Sequence, residues 1–276
     1  GNEFLSLYHT YNNEGKFTPV LYVEDNLGRS GKTKANKITV TGSKIPFKSG
    51  DFFAGYQWDV RDYSGGPCGE ECKNDFSDSI DNIWMDDLDQ LHFRLTKKNN
   101  NKWNCVEIVS QKTGWGYGKY DFDFEVVSDG KIDENVVIGL FTYDKEAPEF
   151  FHREIDYEYS YWGNTVTDNS QIVIQGDPVC KKRFSVPLEE GYPANIVFYW
   201  NYWEDEEVYC YYQCGSIEDD FSLPKNADSG GITKPPTEGN ERVLMNLWLC
   251  DGKPYNLEEW EDVEVVIKNF DFQEKP

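Results

Sequence analysis

From position 154 to 162 the chain reads Glu-Ile-Asp-Tyr-Glu-Tyr-Ser-Tyr-Trp, three carboxylates spaced two residues apart with apolar side chains between them. Successive side chains of a strand take opposite faces. Ile155, Tyr157, Tyr159 and Tyr161 therefore turn toward a core, while Glu154, Asp156, Glu158 and Trp162 share the other face. Four residues of strand set the two Glu Cα atoms about 13 Å apart, and a lean of about 3 to 4 Å by each side chain brings the carboxyls to about 5 to 6 Å. At that separation one carboxylate can attack an acetal carbon while the other protonates the leaving oxygen and then activates water, the double displacement of retaining glycoside hydrolysis. Asp156, between them, concentrates negative charge and helps hold a proton on a neighbour, as an acid working near neutral pH requires. The competing explanation is a solvated strand with a polar face. Stacking three like charges on one face is repulsive, which weighs against it.

The surrounding segments sharpen the assignment. Trp58-Asp59-Val60-Arg61-Asp62-Tyr63-Ser64-Gly65-Gly66, Asn101-Lys102-Trp103-Asn104-Cys105-Val106-Glu107 and Gly116-Tyr117-Gly118-Lys119-Tyr120 come first. Val137-Ile138-Gly139-Leu140-Phe141-Thr142-Tyr143 then precedes the carboxylates, and Leu244-Met245-Asn246-Leu247-Trp248 follows them. In this order the segments resemble glycoside hydrolase family 16, most closely its bacterial lichenases, over roughly residues 49 to 276. The resemblance implies Glu154 as nucleophile, Glu158 as general acid/base and Asp156 as the assisting carboxylate. It also implies that Asn246 and Trp248 line a sugar-binding cleft and that Glu107 contacts substrate. A disulfide from Cys105 to Cys68 or Cys72 follows from the same resemblance. The chain departs from the pattern at Val109, where the lichenases carry Arg, and at His152-Arg153, which replaces a Trp-Asp pair. Both departures point to altered substrate preference with the chemistry intact.

Many short alternating runs separated by Gly-rich turns make the chain almost entirely β. Lys119 to Val127 is the plainest half-buried strand, with others at Leu91–Leu95, Cys105–Val109, Val136–Tyr143, Gln171–Gln175, Ile196–Trp200, Glu207–Tyr212, Arg242–Leu249 and Val263–Phe272. This pattern is a sandwich or jelly roll, and the resemblance narrows it to an all-β, concanavalin-like jelly roll of two antiparallel sheets with a concave cleft. Residues 49–276 are expected to form that catalytic domain, and residues 1–48 an extension whose strands, from about 18 to 42, form an appended hairpin.

A net charge of −23 over 276 residues disfavours nucleic acid, anionic membrane surfaces and strongly anionic polysaccharides, leaving a neutral β-glucan as the simpler partner. No apolar run reaches the roughly 20 residues of a membrane helix. The expected setting is a secreted or cell-surface monomer whose leader has been removed.

Gly114-Trp115-Gly116-Tyr117-Gly118 looks superficially like a phosphate loop, but strand-like alternation follows it instead of a helix. A tight turn beside the cleft is expected, with Trp115 and Tyr117 available to stack on a sugar or to pack. Seven cysteines include Cys68-x3-Cys72 and Cys210-x3-Cys214, yet Cys210 and Cys214 in one strand would lie about 13 Å apart, too far to share zinc. His92 is read as structural and His152 as a substrate contact at the edge of the site. No cofactor is required and no metal site is expected. Calcium at the family's convex-face position is disfavoured because Lys268 falls there, although fifty acidic residues could bind calcium elsewhere. The function expected is a retaining endo-β-glucanase acting on a mixed-linkage 1,3-1,4 or a 1,3 glucan. A non-catalytic carbohydrate-binding jelly roll and a transglycosylase using the same carboxylates are the alternatives.

Overall fold

The computed structural model describes residues 15–24, 26–36, 38–40, 42–65, 74–98, 102–127, 132–163, 168–188, 193–201, 208–214, 216–223, 228 and 235–276. Two units divide the chain, Gly1–Lys44 and Ile45–Pro276. In the first, β1 (Gly15–Phe17) pairs with β4 (Ile38–Val40), and β2 (Val20–Glu24) forms an antiparallel hairpin with β3 (Ser30–Lys34).

The second unit opens with β5 (Ile45–Pro46), β6 (Phe52–Phe53), β7 (Tyr56–Val60), β8 (Tyr63–Ser64), β9 (Asn74–Phe76) and β10 (Ile83–Met85). It continues through β11 (Leu91–Lys98), β12 (Lys102–Ser110), β13 (Gly118–Val126), β14 (Val136–Tyr143), β15 (Ile155–Tyr159) and β16 (Ser170–Ile174). The last strands are β17 (Cys180–Phe184), β18 (Pro193–Trp200), β19 (Val208–Cys214), β20 (Ile217–Leu223), β21 (Arg242–Leu249) and β22 (Val263–Glu274). Antiparallel pairing orders a front sheet as β7-β12-β21-β14-β15-β16-β17. A back sheet runs β5-β10-β11-β22-β13-β18-β19-β20.

Alternation decides which side chains lie between the sheets. Tyr120, Phe122 and Phe124 of β13 are fully buried and meet the inward residues of β15, with Phe124 and Tyr157 ring centroids 6.3 Å apart. Trp58 of the front sheet meets Phe270 of the back sheet at 5.8 Å, and Phe184 stacks on Tyr212 at 4.9 Å. Each such buried ring contributes about 1.5 to 3 kcal/mol through removal from water. The result is the all-β jelly-roll sandwich expected from the alternation.

Cys105 corrects an expectation. Its thiol is free and buried, and it donates to Asn74 Oδ1 at 3.1 Å instead of entering a disulfide. The anticipated partners, Cys68 and Cys72, lie outside the described residues. On the back sheet, Lys268 forms an ion pair with Glu125, so its charge already has a counterpart. His92 is buried between Glu264 at 2.9 Å and Asp86 at 3.4 Å and stacks on Trp84, tying together the back sheet.

Candidate active site

β15 carries Asp156 and Glu158, with Glu154 next to it in the chain. Glu154 just precedes the strand, and its φ of −90° and ψ of 121° keep it extended, so the alternation runs through it. Its carbonyl accepts the Gln175 N–H at 3.1 Å, which extends the pairing with the neighbouring chain by one residue. Ile155, Tyr157 and Tyr159 fill the core. Register then fixes the neighbours of the outward face. One row across the front sheet reads Glu107, Asn246, Gly139, Glu158, Gln171, Arg183. The adjacent row reads Val109, Leu244, Phe141, Asp156, Val173, Lys181.

Hydrogen bonds hold the acids in distinct ways. Gln175 Nε2 donates to Asp156 Oδ2 at 2.9 Å, and Gln171 Nε2 donates to Glu158 Oε2 at 2.5 Å. Asn246 Nδ2 donates to Glu107 Oε2 at 3.2 Å, and Arg61 Nε lies 3.6 Å from Glu107 Oε1. The Oδ1 of Asn246 is buried and has no hydrogen-bond partner among the described residues. It sits over Gly139, where an added Cβ would come within 2.4 Å of that oxygen. An orphaned acceptor beside two carboxyls is suited to a ligand hydroxyl.

Burial drives the electrostatics. It pushes the Glu154 carboxyl up to about 7, opposed by a hydrogen bond from Asp156 and reinforced by the charge of Glu158. Asp156, only 5% exposed, is raised well above the usual carboxylate range by burial and then by the charges of both Glu neighbours. Glu158 is raised by burial, against the Gln171 bond and the charges of Lys181 and Arg183. Glu107 is raised likewise by burial, against its Asn246 bond and Arg61. The arrangement can therefore store a proton on Asp156 while an ionised Glu154 accepts a hydrogen bond from it, and the three groups titrate as a unit.

Several expected contacts fall elsewhere. Trp115 is 2% exposed; its indole packs on Tyr56, Phe270 and Phe272, and its N–H donates to Ser110 Oγ at 2.9 Å, so it is a core residue with no face for a sugar. Tyr117 leads into the back sheet, and its ring abuts Trp200 at 5.4 Å. Their glycine-rich loop does cradle an anion, but the protein's own: the Gly116 N–H donates to Glu241 Oε1 at 2.6 Å, and Gly116 takes a φ of 73° to aim it. Trp162 reaches the side of Arg183 by a turn and not by strand alternation. β15 stops at Tyr159, Ser160 Oγ accepts the Trp162 N–H at 2.9 Å, and the resulting turn places the indole under the Arg183 guanidinium at 4.6 Å. His152 is brought alongside by a turn and not by alternation. It lies in the 3-10 segment Pro148–Arg153 with a φ of 58°, stacks on Tyr143 at 4.7 Å, and places Nδ1 3.0 Å from the Asp144 carbonyl. Arg153 points away to Asp144 at 3.3 Å and to Thr237. Trp248 is half-buried two residues beyond Asn246, opposite Val137.

Sequence reasoning missed Gln171, Gln175, Arg61 and Tyr143. The Tyr143 hydroxyl is raised by burial and then by the charges of Glu154 and Glu107. No group of three His, Cys, Asp or Glu among the described residues converges as a metal site.

No family model matches the chain, and no curated protein matches its sequence. Solved structures do match its fold. A Bacillus licheniformis beta-glucanase superposes with a TM-score of 0.57 at 19% identity, covering 85% of this chain and 98% of the other. An endo-1,3-beta-glucanase from Streptomyces sioyaensis gives 0.57 at 11% identity, covering 83% and 95%. An immunostimulatory antigen and pseudo beta-1,3-glucanase of Mycobacterium tuberculosis gives 0.53 at 15% identity, covering 82% and 97%. The chain thus has the jelly-roll fold of the family 16 glucanases, a fold that active enzymes and a pseudo-enzyme share.

Proposed function

We propose that this protein is a retaining endo-β-glucanase that cleaves internal linkages of a neutral β-glucan, either mixed-linkage 1,3-1,4 or 1,3. The observation that carries the reading is the set Glu154, Asp156 and Glu158 on one sheet face, all raised in pKa, with a glutamine donor fixed on each of the last two. Glu154 attacks the anomeric carbon while Glu158 protonates the departing glycosidic oxygen, giving a glycosyl ester on Glu154. Glu158 then takes a proton from water, which attacks the same carbon and releases Glu154, so the product keeps its β configuration. A sugar hydroxyl in place of water would give transglycosylation by the same groups. The orphaned Asn246 Oδ1 and the Glu107 carboxyl supply acceptors for sugar hydroxyls, and Trp248 and His152 border them.

Val109 offers no charge where the lichenases carry Arg, and Arg61, just past the end of β7, approaches Glu107 instead. His152 supplies a smaller surface than Trp. We therefore expect weaker or altered action on cereal mixed-linkage glucan. We further propose a secreted or cell-surface setting, which suits a polymeric substrate, and a monomeric enzyme.

The likeness to a pseudo beta-1,3-glucanase favours one rival, a glucan-binding protein without turnover. The deciding experiment incubates the protein with lichenan, barley glucan, laminarin and xyloglucan, follows kcat/KM, and reads the anomer of the earliest product by proton NMR. Cleavage with β product supports the proposal. First-formed α product overturns the retaining mechanism, and binding without cleavage of any glucan establishes the rival.

A further inference from the structure

Gln175 touches two of the three acids at once. Its backbone N–H donates to the Glu154 carbonyl at 3.1 Å, and its side-chain Nε2 donates to Asp156 Oδ2 at 2.9 Å. The residues opposite Asp156 in the sheet are Phe141 and Val173, which present no polar side chain. Among the described residues, the side-chain partners of the Asp156 carboxyl are therefore Gln175 and Glu154. An amide N–H is only a donor, so the oxygen that faces it must act as acceptor, and a proton on the carboxyl belongs on the other oxygen.

We propose that Gln175 is a positioning residue that keeps the Asp156 proton on Oδ1 and so directs it at Glu154, an inference that rests on reading Glu154 as the nucleophile. No bond to carbon changes in this step: the proton stays on Asp156 and is shared with Glu154 by a hydrogen bond. With the Nε2 donor removed, Oδ2 loses the bond that marks it as acceptor, Glu154 alone is left to orient the Asp156 proton, and the hydrogen bond that favours ionised Glu154 is weakened. The other groups that act on the trio stay in place. Glu158 lies on the same strand, Tyr143 at the end of β14 interacts electrostatically with Glu154, and Lys181 and Arg183 on β17 act on Glu158.

The test is a titration of carboxyl-labelled protein by 13C NMR, comparing the parent with Gln175→Met, which keeps the unbranched shape, and Gln175→Glu, which keeps the length but presents an acceptor. Circular dichroism establishes that each is folded. The proposal expects Asp156 to remain protonated through neutral pH in the parent and the Glu154 midpoint to rise by about one unit in the Met variant, more in the Glu variant. At pH 6 that shift corresponds to a loss of about tenfold in kcat, with KM nearly unchanged and recovery toward high pH. A glutamine that merely supported the strand would lower kcat equally at every pH. An unchanged Glu154 midpoint in either folded variant overturns the proposal, so a Met variant that failed to fold would leave the Glu variant to decide. A shifted midpoint in a protein that cleaves no glucan upholds the role of Gln175 on the acids and overturns the hydrolase reading alone.

Discussion

Two strands of this molecule carry the same signature and put it to opposite uses. β13 presents Asp121, Asp123 and Glu125 at alternate positions, as the segment around β15 presents Glu154, Asp156 and Glu158. On β13 every acid meets a donor suited to an ionised carboxylate. Lys119 Nζ lies 2.6 Å from Asp121, Asn195 Nδ2 donates to both Asp121 and Asp123 at 2.7 Å, and Lys268 pairs with Glu125. Near β15 Asp156 is buried and burial raises all three acids, and their direct side-chain partners are glutamine amides and one another. Alternating carboxylates alone therefore do not make a reactive site. Burial that outweighs the nearby charges raises the cost of the charged form, and it is this that sets the β15 acids apart.

The largest test of that contrast replaces one acid on each strand. Glu154→Gln should lower kcat by about four orders of magnitude or more, while Asp123→Asn should leave it within about twofold. A Glu154→Gln protein within about tenfold of the parent in steady-state assays would break the comparison outright.

A second test uses pH. Folding raises the Glu154 carboxyl from 4.5 to about 7, so the folded chain favours its neutral form, and that contribution to stability is present at low pH and lost as pH rises between these values. Glu154→Gln removes the loss. The variant should gain up to about 3 kcal/mol over the parent above pH 7 and nothing below about pH 4, as read by urea unfolding at each pH. An equal difference at all pH values would show that burial does not set this group's ionisation. In the parent, activity should also fall on the acid side as Glu154 takes up its proton near pH 7.

On β13 the effects should be structural and small. Asn195→Ala leaves two carboxylates without their shared donor and should cost about 1 to 2 kcal/mol in urea unfolding, with kcat unchanged. Lys268→Ala removes a partly exposed ion pair, and the expected loss is at most about 0.5 kcal/mol, vanishing in high salt. A kcat change in either variant would show that the two faces communicate.

Much of the fold was legible because alternation reports burial directly. Val136–Tyr143 and Arg242–Leu249 form strands with the expected bounds. The edge strands were not legible. β17 holds Lys181-Lys182-Arg183 and β20 holds Glu218-Asp219-Asp220, so the apolar pattern is interrupted where each sheet ends and charge blunts its open side. The acids around β15 were readable from their spacing and flanks, but Gln171 and Gln175 acquire meaning only through register with another strand. Trp115 misled for a related reason. Gly114 and Gly116 take positive φ, and the loop is anchored by Glu241, 125 residues beyond Gly116, a contact that no local pattern encodes. Trp162 and His152 failed the alternation rule because turns flank the short strand on both sides.

Gly139 has a consequence for how this protein can vary. Every codon change that replaces glycine adds at least a Cβ, and here that atom would meet the far end of the Asn246 side chain. The backbone need not yield, since the amide can swing aside. Variation at this position should thus produce chains that pass cellular quality control and accumulate normally, yet carry a misdirected acceptor between Glu107 and Glu158. In a mutational screen scored by abundance the position would look permissive; scored by glucan turnover, it would have no neutral neighbour.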